Sequence, residues 1–289
     1  MQSELHTLFT LAHCLSVKPR EKGRFFVEAF PEYAEMLGFD WVDRVRISSG
    51  KRQLISEQLE AFNLGAHLNR LEKMNIKVVT ILEDRYPPML RHIYAPPLLL
   101  YYKGDWELTK GQLLGVVGSR RHSNYGKEAV QSIIPKIASH NIGIVSGLAR
   151  GIDTLAHKIT VKQGGTTIAV IGTGIHHYYP AENRSLQKYI AQDHLLISEY
   201  PPQTKADKHH FPDRNRIISG LSRGVLVVEA KQRSGSLITA NRALEEGRDV
   251  FAIPGAIDNA YSTGTNNLIK LGAIPVTQAD DILSQWELY

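Results

Sequence analysis

The residues whose types suit chemistry cluster in turns that follow short apolar runs. Leu113–Val117 leads into Gly118, Ser119, Arg120 and Arg121, and a helix is expected to begin near Tyr125–Gly126. A strand that turns into a helix N-terminus leaves backbone N–H groups free at the positive end of the helix dipole, which makes an anion site. Two guanidinium forks in that turn suit phosphate oxygens. The same arginines could equally cap the helix or pair with a carboxylate. Further along, Lys205, Lys208, His209 and His210 precede Phe211, and Arg214, Asn215 and Arg216 open another expected helix. Cations interleaved with an aromatic ring suit a single nucleic-acid strand, because phosphates meet Lys and Arg while a base stacks on the ring. The alternative is a core Phe211 under a solvated loop. Ser234, Gly235 and Ser236 start a further helix, a second anion-friendly terminus.

Other constellations point less firmly to chemistry. Asp153 and His157 lie one helical turn apart and could do acid–base work, or Asp153 could cap while His157 packs. His176 and His177 are adjacent and point apart, so a shared metal is not expected. Gly118 and Gly126 do not form G-x-G-x-x-G. Gly126-Lys127 is followed by Glu128, with Arg121 at the P-loop's first glycine, so both nucleotide fingerprints fail.

The elements that must position these turns alternate. Expected strands are Leu113–Val117, Ile142–Ser146, Thr167–Ile171, Leu195–Ser198, Gly224–Val228, Asp249–Ile253 and Ala273–Val276, with helical stretches between them. Short continuous apolar strands joined by helices imply a parallel sheet covered on both faces. The fold class is therefore α/β, a doubly wound, mostly parallel sheet, and such sheets bind ligands beyond the carboxyl ends of their strands. Residues 1–75 instead show helical spacing (Leu5, Leu8, Leu11, Leu15, then Leu54, Leu59, Phe62). A small helical domain is expected over residues 1–84 and the sheet domain over 85–289. Ile76–Leu82 is the first β-like run, and an extended connection punctuated by Tyr86–Pro88 and Ala95–Pro97 leads into Leu98–Gly104.

Composition narrows the class. The chain has 289 residues, 43% hydrophobic and 22% charged, values ordinary for a globular protein. A lone cysteine, Cys14, excludes an internal disulfide and a multi-cysteine zinc site. No apolar run approaches a membrane span and the N-terminus does not read as a signal peptide, so a cytoplasmic protein with no membrane partner is expected. The net charge of +5 is uneven: residues 205–248 hold nine basic against five acidic residues. That surplus hints at a polyanion partner.

Seven segments, among them GVVGSRRHSNYGKEA, IVSGLARGIDTLAH, HHFPDRNRIISGLSRGVLVVEA and SGSLITANRALEEGRDVFAIPG, run in order from about Tyr86 to Ala273. They closely resemble the DNA-processing protein A family (DprA, also called Smf). The resemblance implies an extended Rossmann domain that binds single-stranded DNA, forms a homodimer, protects incoming DNA and loads RecA recombinase onto it in natural transformation. It places the DNA-binding pocket on Gly118, Ser119, Arg120, Lys208, Phe211, Arg214, Asn215 and Arg216, with no cofactor and no metal. Many members carry a winged helix after the core, whereas this chain ends soon after its last strand, and residues 1–75 lack a clear helix-hairpin-helix. The dimer is expected to use 250–273, where Ile253, Ile257, Leu268, Ile269 and Leu271 are apolar. The rival reading is an enzyme, a Rossmann-like nucleoside-monophosphate phosphoribohydrolase of the lysine-decarboxylase-like group. Its phosphate loop is broken here, since Pro254-Gly255 is followed by Ala256, although Asp153, Glu199 and Glu229 remain conceivable acids or bases. The expectation is that the chain is not an enzyme.

Overall fold

A computed structural model describes residues 2–38 and 41–288. Tyr289 lies outside the described residues. Five helices open the chain: α1 (Gln2–His13), α2 (Pro19–Ala29), α3 (Tyr33–Met36), α4 (Ser49–Ala61) and α5 (Leu64–Lys73). Strands β1 (Lys77–Thr80) and β2 (Leu99–Gly104) flank a short α6 (Pro88–Arg91). Then β3 (Leu113–Val117), α7 (Asn124–Ser139), β4 (Gly143–Ser146), α8 (Ile152–Lys162) and β5 (Thr167–Ile171) alternate. They are followed by α9 (Arg184–Asp193), β6 (Leu195–Ser198), α10 (His210–Leu221), β7 (Gly224–Val227) and α11 (Gly235–Glu245). The chain closes with β8 (Asp249–Ala252), α12 (Thr263–Lys270), β9 (Ile274–Pro275) and α13 (Asp280–Gln285).

All nine strands form one sheet in the order β1-β2-β6-β5-β4-β3-β7-β8-β9. From β6 to β9 every pairing is parallel, and β1 and β2 add an antiparallel edge. Side chains along a strand alternate between faces, and here both faces are buried. In β7, Val225 and Val227 join one core while Leu226 joins the other with the following Val228; in β8, Val250 and Ala252 oppose Phe251. The first core lies under the N-terminal helices, α10 and α11; the second lies under α7 and α13. The strand order reverses beside β3, which has β4 on one side and β7 on the other. Loops that leave the carboxyl ends of β3 and β7 therefore diverge to opposite faces and open a crevice between them.

The N-terminal helices pack onto the sheet. Leu8, Phe9 and Leu11 of α1 share the first core with Leu100 and Tyr101 of β2, and the Phe9 ring meets Tyr101 edge-on at 6.3 Å. The run Ile76–Leu82, placed with the helical domain by the boundary at 84, supplies β1, which pairs with β2. The run Leu98–Gly104 that follows the extended connection holds β2, which pairs with β6 as well. Among the described residues no helix is long and apolar enough to cross a membrane.

Candidate nucleic-acid interface

The crevice at the switch point is a groove of about 650 Å3 lined from five segments, one of them the β4–α8 connection and the first turn of α8, with Ala149 and Asp153. Gly118, Ser119 and Arg120 come from the end of β3, Tyr179 from the loop after β5, and Lys208 and Phe211 from the entry to α10. Lys231, Arg233 and Ser234–Ser236 come from the end of β7. Arg120 lies over the Phe211 ring, its guanidinium carbon 5.5 Å from the centroid, and Tyr179 packs on the same ring at 5.3 Å with a 38° tilt. Phe211 is half-buried, so part of its face remains open, and Tyr179 is 43% exposed. Phe211 is thus neither core nor a free loop residue. It sits in the first turn of α10, one helical turn before Asn215, which lines the same groove. The helix begins earlier than its sequence suggests, because Pro212 is tolerated within a first turn, where its missing N–H costs nothing.

Arg120, Lys208, Lys231 and Arg233 are exposed, and among the described residues none of the four joins an ion pair. Four unneutralised cations around an open aromatic face leave strong positive potential in a concave site. Ser234 caps α11 by accepting from the Ser236 N–H, and this terminus faces the groove. Tyr179, Lys231 and Arg233 escaped the sequence argument as members of the site. The basic pair in Lys231-Gln232-Arg233, just before the Ser234 cap, was the signal that could have found them.

The expected anion site at the start of α7 is already filled. The Glu229 carboxylate, 1% exposed, accepts 3.0 Å from the Ser123 N–H and also from the Ser123 hydroxyl. Ser123 in turn accepts from Gly126 N–H at 3.1 Å. A carboxylate there satisfies the terminus and its dipole. Phosphate would therefore meet the Arg120 side chain and not this helix end. Ser119 is also engaged: its hydroxyl donates to the Arg121 carbonyl at 2.7 Å and accepts from the Arg121 N–H at 3.1 Å, which holds the turn. Gly118 is required because a Cβ would strike Ile152 at 2.6 Å.

Arg214 and Arg216 are both buried, Arg214 against the groove and Arg216 against a separate cavity on the other side of α10. Arg214, 4% exposed, donates through Nη1 to the Val170 carbonyl and lies flat on Gly147, where a Cβ would overlap its guanidinium. Burial pulls its pKa down to about 10, with the nearby Asp153 charge opposing the fall. Arg216, 5% exposed, donates through Nη2 to both Glu199 oxygens at 2.7 and 2.8 Å. An i, i+3, i+4 arrangement explains the split: Phe211 and Asn215 face the groove while Arg216 turns to the other side of α10.

The acids of the enzyme reading are committed elsewhere. Asp153 accepts from the Gly147 and Ala149 N–H groups at 3.2 and 3.4 Å, and burial pushes its pKa up. His157 does not meet it. The Thr167 hydroxyl donates to the Ile144 carbonyl at 2.8 Å, so it accepts from His157 Nδ1–H at 2.7 Å, and burial lowers the ring to about 3. Glu199 holds Arg216, and Glu229 holds Ser123.

Comparison with known proteins agrees with this geometry. A family model described as DNA recombination-mediator protein A matches residues 77–287. The chain belongs to this family. DNA processing protein DprA of Streptococcus pneumoniae is 52% identical over 222 residues, 77% of this chain and 78% of that one. DprA of Bacillus subtilis is 44% identical over 238 residues, 81% and 80% of the two chains. The crystal structure of the Streptococcus pneumoniae DprA superposes with a TM-score of 0.82 at 42% identity and 97% coverage of both chains. That of Helicobacter pylori DprA, solved for its single-stranded DNA binding mode, gives 0.67 at 27% identity, covering 73% of this chain and 95% of that one. The DprA fold therefore extends over the whole sheet of this chain.

Proposed function

We propose that the groove binds single-stranded DNA, and that the protein protects incoming strands and passes them to RecA recombinase during natural transformation in the cytoplasm. One observation carries the DNA reading: an open aromatic face, Phe211 backed by Tyr179, beneath an unpaired arginine and ringed by Lys208, Lys231 and Arg233. A base stacks on Phe211 while phosphates on either side meet the cations, a combination only an unpaired strand offers. The Helicobacter pylori relative's single-stranded binding supports this reading, and family membership is what supports the RecA step. A homodimer through residues 250–273 is part of the proposal. Ile257 and Leu271 are 97% and 80% exposed and suit an interface, whereas Ile253 and Leu268 are buried in the protomer's own cores. Fluorescence anisotropy with one sequence as single strand and as duplex tests the central claim. The single strand should bind more tightly, and equal affinities would remove it.

A further inference from the structure

A second cavity, about 910 Å3, lies where the N-terminal helices meet the entry to α10. At its depth are Lys22 of α2 and Arg216 of α10, 8% and 5% exposed. Arg216 uses only Nη2, on Glu199; its Nε and Nη1 are buried with no partner. Among the described residues, Lys22 Nζ has neither a hydrogen bond nor an ion pair. Fully buried polar atoms without partners, such as Nε and Nη1 of Arg216, are rare, since each carries its desolvation cost uncompensated. Burial accordingly lowers the Lys22 pKa, with Glu199 acting against the fall. Lys18, Arg20, Lys205 and Arg242 also line the cavity. Its carboxylates are Glu199, Asp207 and Asp213, so six cations face three acids, with Arg216 paired to Glu199 and Arg242 to Glu245 outside the lining.

The cavity adjoins the groove. Ala206, Asp207 and Pro212 line both spaces, while Lys208 faces only the groove and Lys205 and His209 only the cavity. A strand held in the groove reaches the cavity across that one ridge. The chemistry of the floor selects what enters. A phosphodiester inside a strand carries one charge and has chain on both sides. A phosphomonoester carries about −1.5 to −2 charge at neutral pH and three free acceptor oxygens, enough to serve two buried cations at once.

We propose that this cavity binds a phosphomonoester, most directly the terminal phosphate of a single strand lying in the neighbouring groove, with Lys22 and Arg216 as its floor. The strand-end source rests on the groove reading; a free mononucleotide supplies the same group without it. The test measures binding of one oligonucleotide bearing a 5′-phosphate, a 3′-phosphate or hydroxyls at both ends. A phosphorylated end should bind about tenfold more tightly, the size expected of one or two charge-assisted hydrogen bonds. Lys22→Met should abolish that ratio and leave the hydroxyl-ended strand unaffected. Arg120→Ala should weaken all three strands alike and keep the ratio, and if it weakens none while the ratio stands, the groove reading falls and the cavity survives. Should Lys22→Met fail to fold, Arg20→Ala at the exposed rim should reduce the ratio about two- to threefold. With no end preference, a rise in melting temperature on adding dAMP to wild type but not to Lys22→Met assigns the site to free nucleotide. Neither an end preference nor stabilisation by dAMP or inorganic phosphate overturns the proposal.

Discussion

Removing Arg120 should change how single-strand binding responds to salt, and by a definable amount. Four free cations line the groove: Arg120, Lys208, Lys231 and Arg233. Each phosphate contact on a single strand contributes about 0.7 to the slope of log affinity against log salt, so four give about 2.8, or about a fiftyfold loss between roughly 50 and 200 mM. Arg120→Ala should lower the slope to about 2.1, so that its deficit relative to wild type shrinks about 2.6-fold over the same range. Phe211→Ala is the contrasting perturbation. Stacking releases no counterions, so affinity should fall about five- to 150-fold at every salt concentration with the slope unchanged. Because Phe211 is half-buried, its loss should also cost less than the roughly 3–5 kcal/mol of a core phenylalanine. Anisotropy titrations across salt, with thermal melts of each variant, supply all these quantities. An Arg120→Ala protein with the wild-type slope, or a folded Phe211→Ala protein with a flattened one, would refute the division of labour.

Other substitutions probe the frame. Glu229→Ala strands the Ser123 N–H and should destabilise by about 1–3 kcal/mol, visible as a lower melting temperature, with Glu229→Gln intermediate. Gly147→Ala should lower melting by a similar amount as the added methyl displaces Arg214, and Arg214→Met in the same chain should restore part of it. Acid should act through His157: below pH 6.5 the unfolded ring takes a proton that the buried one refuses until about 3. Its contribution therefore falls by roughly 1.4 kcal/mol per pH unit through that window, and His157→Gln should flatten the stability profile between pH 7 and 5. Light scattering at micromolar concentration should show a dimer, and Leu271→Glu should yield monomers.

The parallel strands were legible because each is a short apolar run bounded by glycine or polar turns; β3, β5 and β6 begin and end where the sequence places them. The antiparallel edge was less so. Ile76–Leu82 reads as β-like and Leu98–Gly104 only as the end of an extended connection, and neither run shows in sequence that it joins the sheet antiparallel. In the site, Arg120, Lys208, Phe211 and Asn215 do line one groove. Arg214 lines the same groove as a buried side chain and Arg216 lines the other cavity, a division that a basic run in sequence does not reveal. Whether a carboxylate from a distant strand has filled a helix terminus is equally invisible in one dimension. Glu229 lies 106 residues beyond Ser123.

That buried carboxylate ties together the two walls of the groove. Ser123 follows Arg120 by one short turn, and Glu229 precedes Lys231 and Arg233 on the opposite side. The two cationic arms are therefore fastened to each other before any ligand arrives, and a strand need not spend affinity on ordering them. Encounter should proceed at a rate set by charge steering, with differences among strands expressed in how long they stay. Release likewise requires no unfolding of the cradle.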